Sequence, residues 1–382
     1  MKKILILLAG LVSYIAVYAQ GSINKNVTVK ELEVPSSPAF VITESTPSLI
    51  QTPTTPKSFV LGIAQSFEPG TSFPQNYSAE FAPYWWFSSS DRNVYTLLGL
   101  TRSTTDNTWK ENIFSGLKFT SVSIAFLSKD LVPDEVEDAQ KMFSAGIRST
   151  LIKVHSKSYA TRLQQQIAQW NSAAQNDLVI YQERATRART AEERTEILRE
   201  LANHTPANTG QFLEKINEMF LEKPLFIWDI AAAHVYYGIG DTVWKSGRTG
   251  VWTNIATFLP LQKNTGGEAV SQYLNLNFSI RFLSDDFFKN DEGEIGSESV
   301  MDIGGKIAFE FNKLSIGYEY LKRVGDKVPG DPFRSVGVIN YRIRENLFLN
   351  GGFGKSFQSP DKLVGLLGIN WGLSKESLKI PD

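Results

Sequence analysis

Apolar and polar positions alternate with a period of two along much of the chain. Between residues 272 and 282, Leu274, Leu276 and Phe278 alternate with Asn275 and Asn277. The segments 301–311 and 314–320 repeat the pattern. Because successive side chains of a strand point to opposite faces, each segment has one apolar and one polar face. The alternation predicts antiparallel β-strands.

The number and length of these segments indicate a barrel. Twelve candidate strands cover 57–67, 77–87, 113–127, 141–154, 224–240, 250–260, 270–283, 299–311, 314–322, 333–341, 346–356 and 362–373. The count is even, two links are very short, and Tyr84, Trp85, Trp86, Tyr236 and Trp371 lie near segment ends, as interfacial aromatic girdles do. A soluble sandwich also alternates, but it does not explain short links on one rim. We therefore predict an all-β-dominated, antiparallel transmembrane β-barrel of about 12 strands, with a helical insertion between strands 4 and 5.

That insertion, residues 156–223, has the spacing of helices. Leu163, Ile167 and Trp170 recur at three- to four-residue intervals. The run from Thr190 to Glu193 is a capping box, which is typical of a helix start. Strand parity places the insert at the rim with the short turns. Three roles stay open: filling the barrel, packing beneath it, or binding a periplasmic or envelope protein partner.

The two ends of the mature chain lie outside the predicted strands. Residues 20–56 are rich in proline, which prevents both helix interiors and central strands. We predict a periplasmic arm there or, alternatively, a plug segment that enters the barrel through Phe40, Val41 and Ile42. Residues 374–382 are predicted to be a C-terminal tail.

The first 19 residues have the features of a secretory signal peptide. Lys2 and Lys3 precede an apolar run. Small or slim residues at the −3 and −1 positions suit cleavage after Ala19. An uncleaved membrane anchor is the alternative. The absence of cysteine excludes a disulfide-built fold and a thiol nucleophile. A formal net charge of −1 gives no basic field for nucleic acid, so no nucleic-acid partner is expected.

The chain resembles Gram-negative outer-membrane β-barrel proteins. The signal ending Tyr18-Ala19-Gln20 is similar to those of Bacteroidota, and the alternating segments between residues 57 and 373 are similar to barrel strands. The resemblance rests on architecture rather than on a diagnostic motif. It implies an outer-membrane location, with outer-membrane lipids around the barrel, and it implies no particular activity.

Charged residues on the polar strand faces are the candidate functional residues. Eight are expected to line the lumen: Glu80, Arg148, Arg281, Asp302, Lys306, Glu310, Glu319 and Arg334. Such residues can brace the barrel interior or line a pore, and we expect Asp302 and Glu310 near Arg281. The acidic runs 285–286 and 291–294 are expected in an outer loop, where a solvated loop is favoured over a calcium site.

Catalysis has one candidate, His234, which follows Asp229 in a predicted strand. Strict alternation sets these two side chains on opposite faces, and no residue is indicated as a nucleophile. His155 and His204 lack the spacing of metal ligands. We therefore expect no catalytic residue, metal or cofactor, and an interfacial histidine is favoured over a catalytic one.

Three functions are compatible with these features. The first is a narrow channel or transport-type pore for small polar solutes, occluded or gated by the helical insert or the N-terminal arm. The second is a non-conducting outer-membrane scaffold whose periplasmic helices dock a partner protein. The third is a barrel hydrolase that uses His234.

Overall fold

The computed structural model of the chain describes residues 26–28, 37–51, 60–66, 76–86, 94–103, 105, 109–129, 140–204, 209–239, 243–261, 272–289, 295–326, 332–344, 347–357, 359–372 and 377–379. The strands are β1 (Asn26–Thr28), β2 (Val60–Ser66), β3 (Tyr77–Phe81), β4 (Leu100–Arg102), β5 (Trp109–Glu111), β6 (Ser121–Lys129), β7 (Gln140–Val154), β8 (Phe226–Ile239), β9 (Val243–Pro260), β10 (Gln272–Lys289), β11 (Ile295–Phe311), β12 (Leu314–Val324), β13 (Phe333–Arg344), β14 (Leu347–Ser356), β15 (Ser359–Gly372) and β16 (Ser377–Lys379). The helices are α1 (Pro38–Val41), α2 (Pro83–Trp86), α3 (Val94–Leu97), α4 (Lys157–Arg187), α5 (Ala191–Asn203) and α6 (Thr209–Leu221), and Ser115–Phe119 form a 3-10 helix.

Most of the strands belong to one antiparallel sheet, which we call the barrel sheet. Its pairing order is β2-β3-β6-β7-β8-β9-β10-β11-β12-β13-β14-β15, and β15 pairs with β2. Strands that follow one another in the chain are neighbours, except that β4 and β5 form a separate hairpin. The prediction of an all-β-dominated, barrel-like antiparallel fold is confirmed.

The connections between these strands alternate between two ends of the barrel sheet. The tight turn at Asn312 and the helices α4, α5 and α6 lie at one end, which we call the helix end. The last residues of β2, β10 and β12 and the first residues of β3, β11 and β13 lie at the other end, which we call the loop end. The α4–α6 helices lie between β7 and β8, in the stretch where helical spacing replaces alternation.

The two faces of the barrel sheet differ in polarity. In β10, Asn275, Asn277 and Ser279 are buried, whereas Leu276 and Phe278 are exposed. The same alternation of burial continues along β12. In these strands most of the exposed side chains are therefore apolar, and most of the polar side chains are buried on the inner face.

Three sequence predictions about strand limits are corrected by the structure. The strand predicted at 77–87 ends at Phe81, because Pro83 suits the first position of a helix and begins α2. The strand predicted at 113–127 begins only at Ser121, after a turn and the 3-10 helix. The acidic stretch predicted as an outer loop lies partly within β10 and β11; residues 291–294 fall outside the described ranges.

A helical unit covers the helix end of the barrel sheet. Between β3 and β6, the described residues of segment 82–120 pack against α4 and α6, and this packing was not predicted. Trp85 and Phe119 of this segment share one core with Tyr159, Leu163 and Phe212 of the helices. We call segment 82–120 together with residues 155–225 the helix-end unit.

Trp85 shows that the aromatic girdle prediction is wrong at this position. Its side chain is 1% exposed, stacks on Phe119 with ring centroids 5.4 Å apart, and meets Tyr84 edge-on. An aromatic run has the same sequence appearance in a girdle and in a core. Only the packing of segment 82–120 on the helices distinguishes them.

The strands β1 and β16 pair with each other in a small separate sheet. The predicted signal peptide, residues 1–19, lies outside the described residues. Within the described residues, no helix is both long and apolar enough to cross a membrane.

Candidate functional site

Residues 37–51 lie inside the barrel sheet, and we call them the plug segment. Phe40, Val41, Ile42 and Leu49 are at most 4% exposed and share a core with inward-facing wall residues such as Trp252. Phe40, Val41 and Ile42, through which the predicted plug alternative enters the barrel, are thus buried there. Apart from the plug segment and 26–28, the stretch 20–56 lies outside the described residues.

Serine hydroxyls attach the first turn of the plug segment to the wall. The Ala39 N–H donates to Ser123 Oγ at 3.1 Å, and Ser144 Oγ donates to the Ala39 carbonyl at 2.5 Å. The hydroxyls of Ser37 and Ser78 also form a hydrogen bond. The buried backbone groups of Ala39 thus find partners on β6 and β7, and the Ser37 side chain has its partner on β3.

A carboxylate of the plug segment, Glu44, lies among three arginines of the wall. Its Oε1 is 3.0 Å from Arg281 Nη2 and 3.5 Å from Arg248 Nη1, and it also contacts Arg323. Glu44 has a φ of 56°, a left-handed conformation that costs a non-glycine residue about 1 kcal/mol or more. The ion pairs offset this backbone strain.

Two carboxylates of the wall also contact these arginines: one contacts two of them, and the other contacts the third. Asp302 binds Arg281 at 2.6 Å and Arg323 at 2.7 Å, and Asp285 binds Arg248 at 2.8 Å. We call Arg248, Arg281 and Arg323 the arginine cluster. Three positive charges are thus contacted by three carboxylates, one of which comes from the plug.

Glu319 holds the other end of the plug segment. Its carboxylate accepts the backbone N–H groups of Leu49 at 3.1 Å and Ile50 at 2.9 Å. Arg334 donates to Glu319 at 2.8 Å and to two plug carbonyls, and Lys306 donates to the Ile50 carbonyl at 3.1 Å. Charged wall residues therefore bind plug backbone as well as plug side chains.

The eight sequence-predicted lumen residues are all buried on the inner face: Glu80, Arg148, Arg281, Asp302, Lys306, Glu310, Glu319 and Arg334. Arg281, Lys306, Glu319 and Arg334 contact the plug segment. Glu80 pairs with Arg148 on the wall.

The expected neighbours of Arg281 are half correct. Asp302 does pair with Arg281, but Glu310 pairs with Lys223 and Asn275 instead. Glu310 is eight positions further along β11 than Asp302, which corresponds to about 26 Å along a strand. Glu310 therefore lies at the helix end, where Lys223, just before the start of β8, contacts it.

Four residues of the site were not predicted: Glu44, Asp285, Arg248 and Arg323. Glu44 lies in a proline-rich stretch with no periodicity. The other three lie just beyond the predicted limits of their strands, in positions that keep the inward parity. Extending the alternation past those limits would have identified them.

No family model matches this chain, and a search of the curated proteins finds no match. Functional conclusions therefore rest on the barrel interior and the helix-end unit.

Gly352 lies where the wall closely approaches the plug backbone. A Cβ atom at this position would lie 2.7 Å from the Pro47 carbonyl oxygen, so a side chain there requires the plug to move. Gly337 offers a matched control, because a Cβ at that exposed position meets its nearest atom at 3.7 Å.

We expect Gly352→Val to loosen the plug segment and Gly337→Val to leave it in place. The chain has no cysteine, so Ser45→Cys, in the half-buried middle of the plug, provides a single thiol whose maleimide labelling rate reports access. Labelling should accelerate about tenfold or more in Gly352→Val, since overpacking costs about 1–3 kcal/mol. Equal rates in the two variants would contradict a tight fit of the plug to the wall.

His155 and Glu111 form a buried polar contact in the helix-end unit. The His155 backbone N–H donates to Glu111 Oε1 at 2.8 Å, and the His155 Nδ1 lies 3.2 Å from the same oxygen. Its ring stacks on Tyr159 with centroids 4.1 Å apart. Burial lowers the pKa of His155 to about 4, and the hydrogen bond from His155 lowers the pKa of Glu111. At neutral pH a neutral imidazole therefore donates to an ionised carboxylate.

The stability of the helix-end unit should fall as the pH falls from about 6.5 towards 4. Unfolded His155 takes up a proton near its ordinary pKa of about 6.5, whereas the folded, buried ring resists protonation until the pH is about 4. Urea unfolding followed by tryptophan fluorescence at pH 7 and pH 5 measures the effect. His155→Gln should flatten the dependence, and an unchanged pH profile in that variant would exclude His155 as its source.

His234 lies on the outer face and lacks the partners of a catalytic base. Its Nδ1 is 2.7 Å from Thr249 Oγ1, and its Nε2 is 3.4 Å from Ser246 Oγ. Asp229 faces inward and accepts a hydrogen bond from Thr150 at 2.6 Å, so the two lie on opposite faces. Among the described residues no carboxylate orients the imidazole, and no group of three or more His, Asp or Glu side chains could hold a metal.

Proposed function

We propose that the protein is a closed twelve-strand barrel in the outer membrane of a Gram-negative bacterium, and that it is a pore for small polar solutes held shut by its plug segment. One observation carries the proposal: a short piece of the chain crosses the polar interior and is attached to the wall by noncovalent contacts.

The surface of the barrel sheet supports the membrane location. Apolar side chains such as Phe278, Phe282, Ile307, Phe309 and Ile369 are more than one third exposed on the outer face. Exposed apolar surface of this extent is costly in water and favourable in lipid. The signal peptide predicted from the sequence is the second support for export.

The interior supports a gated pore over a solid, inert barrel. A permanently filled barrel can be packed with apolar side chains, whereas here buried charges of both signs line the wall. Among the residues that the structure describes, the 15-residue plug segment lies between them, and α1 within it has four residues. Because the plug segment precedes β2 in the chain and no described residue of it belongs to a strand of the barrel sheet, it can leave the lumen without breaking a strand pair.

Single-channel conductance in planar bilayers tests this function. The intact chain should be closed most of the time, and a variant in which a Gly/Ser linker replaces residues 37–51 should conduct steadily. Replacement of residues 156–223 by a short turn is the matched control, since the helix-end unit lies outside the strands. The plug-deleted protein should also show the heat-dependent gel shift of a folded barrel. If it shows this shift but does not conduct, the proposed pore function is wrong.

The helix-end unit supports a second candidate, a scaffold that docks a periplasmic or envelope protein. Leu178, Val179 and Ile180 of α4 and Leu198 of α5 are 40–56% exposed on the far half of this helix pair. A contiguous patch of exposed apolar residues is typical of a surface that binds another protein or a membrane. Val179→Lys with Ile180→Lys should abolish co-purification of such a partner without changing conductance.

A further inference from the structure

The arginine cluster converges on one carboxylate oxygen. Arg248, Arg281 and Arg323 all contact Oε1 of Glu44, and each of these arginine residues is 7% exposed or less. Planar guanidinium groups bind carboxylates with paired N–H donors, which makes such a group of arginines a specific site for that anion. We propose that the arginine cluster is a binding site for the carboxylate group of a small organic solute, which Glu44 occupies as an internal substitute while the plug segment is in place.

Glu44 fits this site imperfectly. Its second oxygen, Oε2, is buried and has no hydrogen-bond partner among the described residues, and the same holds for Nη1 of Arg281. A buried acceptor and a buried donor thus both remain unsatisfied, at a cost in free energy. A solute carboxylate that is free to rotate can use both oxygens, so it can replace Glu44 without loss of contacts.

The arginine cluster loses one of the carboxylates that contact it when the plug leaves. Asp285 and Asp302 contact the three arginines, so removal of Glu44 leaves one more guanidinium group than carboxylates in these contacts. One carboxylate restores the balance. The ring of Phe357 lies 4.0 Å from the Arg323 guanidinium carbon and supplies an apolar surface beside the site, which favours an organic carboxylate over an inorganic anion.

The cluster also lies where a solute could reach it. Arg323 is the penultimate residue of β12, and Arg248 is near the start of β9; both strand ends lie at the loop end. A solute that enters from the loop end would meet the cluster before it meets Glu319. Solute access rests on the proposed pore function, whereas binding at the cluster does not.

Calorimetric titration of the full-length, detergent-folded protein with propionate tests the site. Propionate has the shape of the glutamate side-chain terminus, and Glu44→Gly removes the carboxylate while its left-handed φ suits glycine. We expect Glu44→Gly to bind propionate roughly tenfold or more tightly than wild type, because charge-assisted hydrogen bonds replace those lost. Neutral propionamide should not bind, and adding Arg281→Gln to Glu44→Gly should abolish propionate binding.

Glu80→Ala is the matched control. It removes a carboxylate that is equally buried but pairs with Arg148 and not with the arginine cluster. Equal propionate binding by Glu80→Ala or by wild type, or binding of propionamide, would overturn the proposal. If Glu44→Gly does not fold, Glu44→Ala is titrated with the same readings. Silence of the plug-deleted protein in bilayers would defeat the pore but would leave propionate binding unaffected, so the two proposals fail separately.

Discussion

Glu44→Gln should convert a closed barrel into a conducting one. The substitution keeps the size of the side chain but removes the negative charge that Arg248, Arg281 and Arg323 share. Leaving a buried charge uncompensated costs about 3–5 kcal/mol. Because only the plugged state contains this contact, the ratio of closed to open barrels should fall by about two orders of magnitude or more. Open probability in planar bilayers measures that ratio directly.

Glu80→Gln distinguishes loss of the plug contact from general damage to the interior. Glu80 is as buried as Glu44, but its ion pair is with Arg148 of the wall. This variant should stay closed while losing thermal stability. If Glu44→Gln is as silent as Glu80→Gln, the arginine cluster does not hold the plug in place.

Trp85→Ala should release the helix-end unit from its own core while the barrel sheet stays folded. Trp85 is buried, stacks on Phe119 and belongs to the same core as residues of α4 and α6, and a truncation of this size costs about 3–5 kcal/mol. Amide hydrogen exchange should therefore accelerate in α4 and α6 by about two orders of magnitude or more. Protection of β8 to β13 should not change, because that core does not include barrel residues.

Trp244→Ala is the control for this prediction. Trp244 is 51% exposed on β9, so its truncation leaves no cavity. Exchange in α4 and α6 should match wild type. Equal acceleration of exchange in the strands of Trp85→Ala would show that the helix-end unit and the barrel sheet unfold as one, which would contradict the separation of their cores.

Local periodicity by itself determined the strands, their faces and the helical stretch. Alternation at Leu276, Asn277 and Phe278 is a property of neighbouring residues, and burial of one face follows from the geometry of any strand. The capping box at Thr190 is equally local, and the structure has its hydrogen bond, from the Glu193 N–H to Thr190 Oγ1 at 3.1 Å. For the same reason the eight predicted charges face inward.

The plug, the arginine cluster and the helix-end core were decided by tertiary structure alone. Glu44 meets Arg248, Arg281 and Arg323 across more than 200 residues of chain, and nothing in its proline-rich surroundings indicates charge partners. Trp85 has the sequence context of a girdle residue until segment 82–120 packs on the helices. Periodicity specifies which way a side chain points, whereas its partner depends on which distant strands the barrel brings together, and that information is not local.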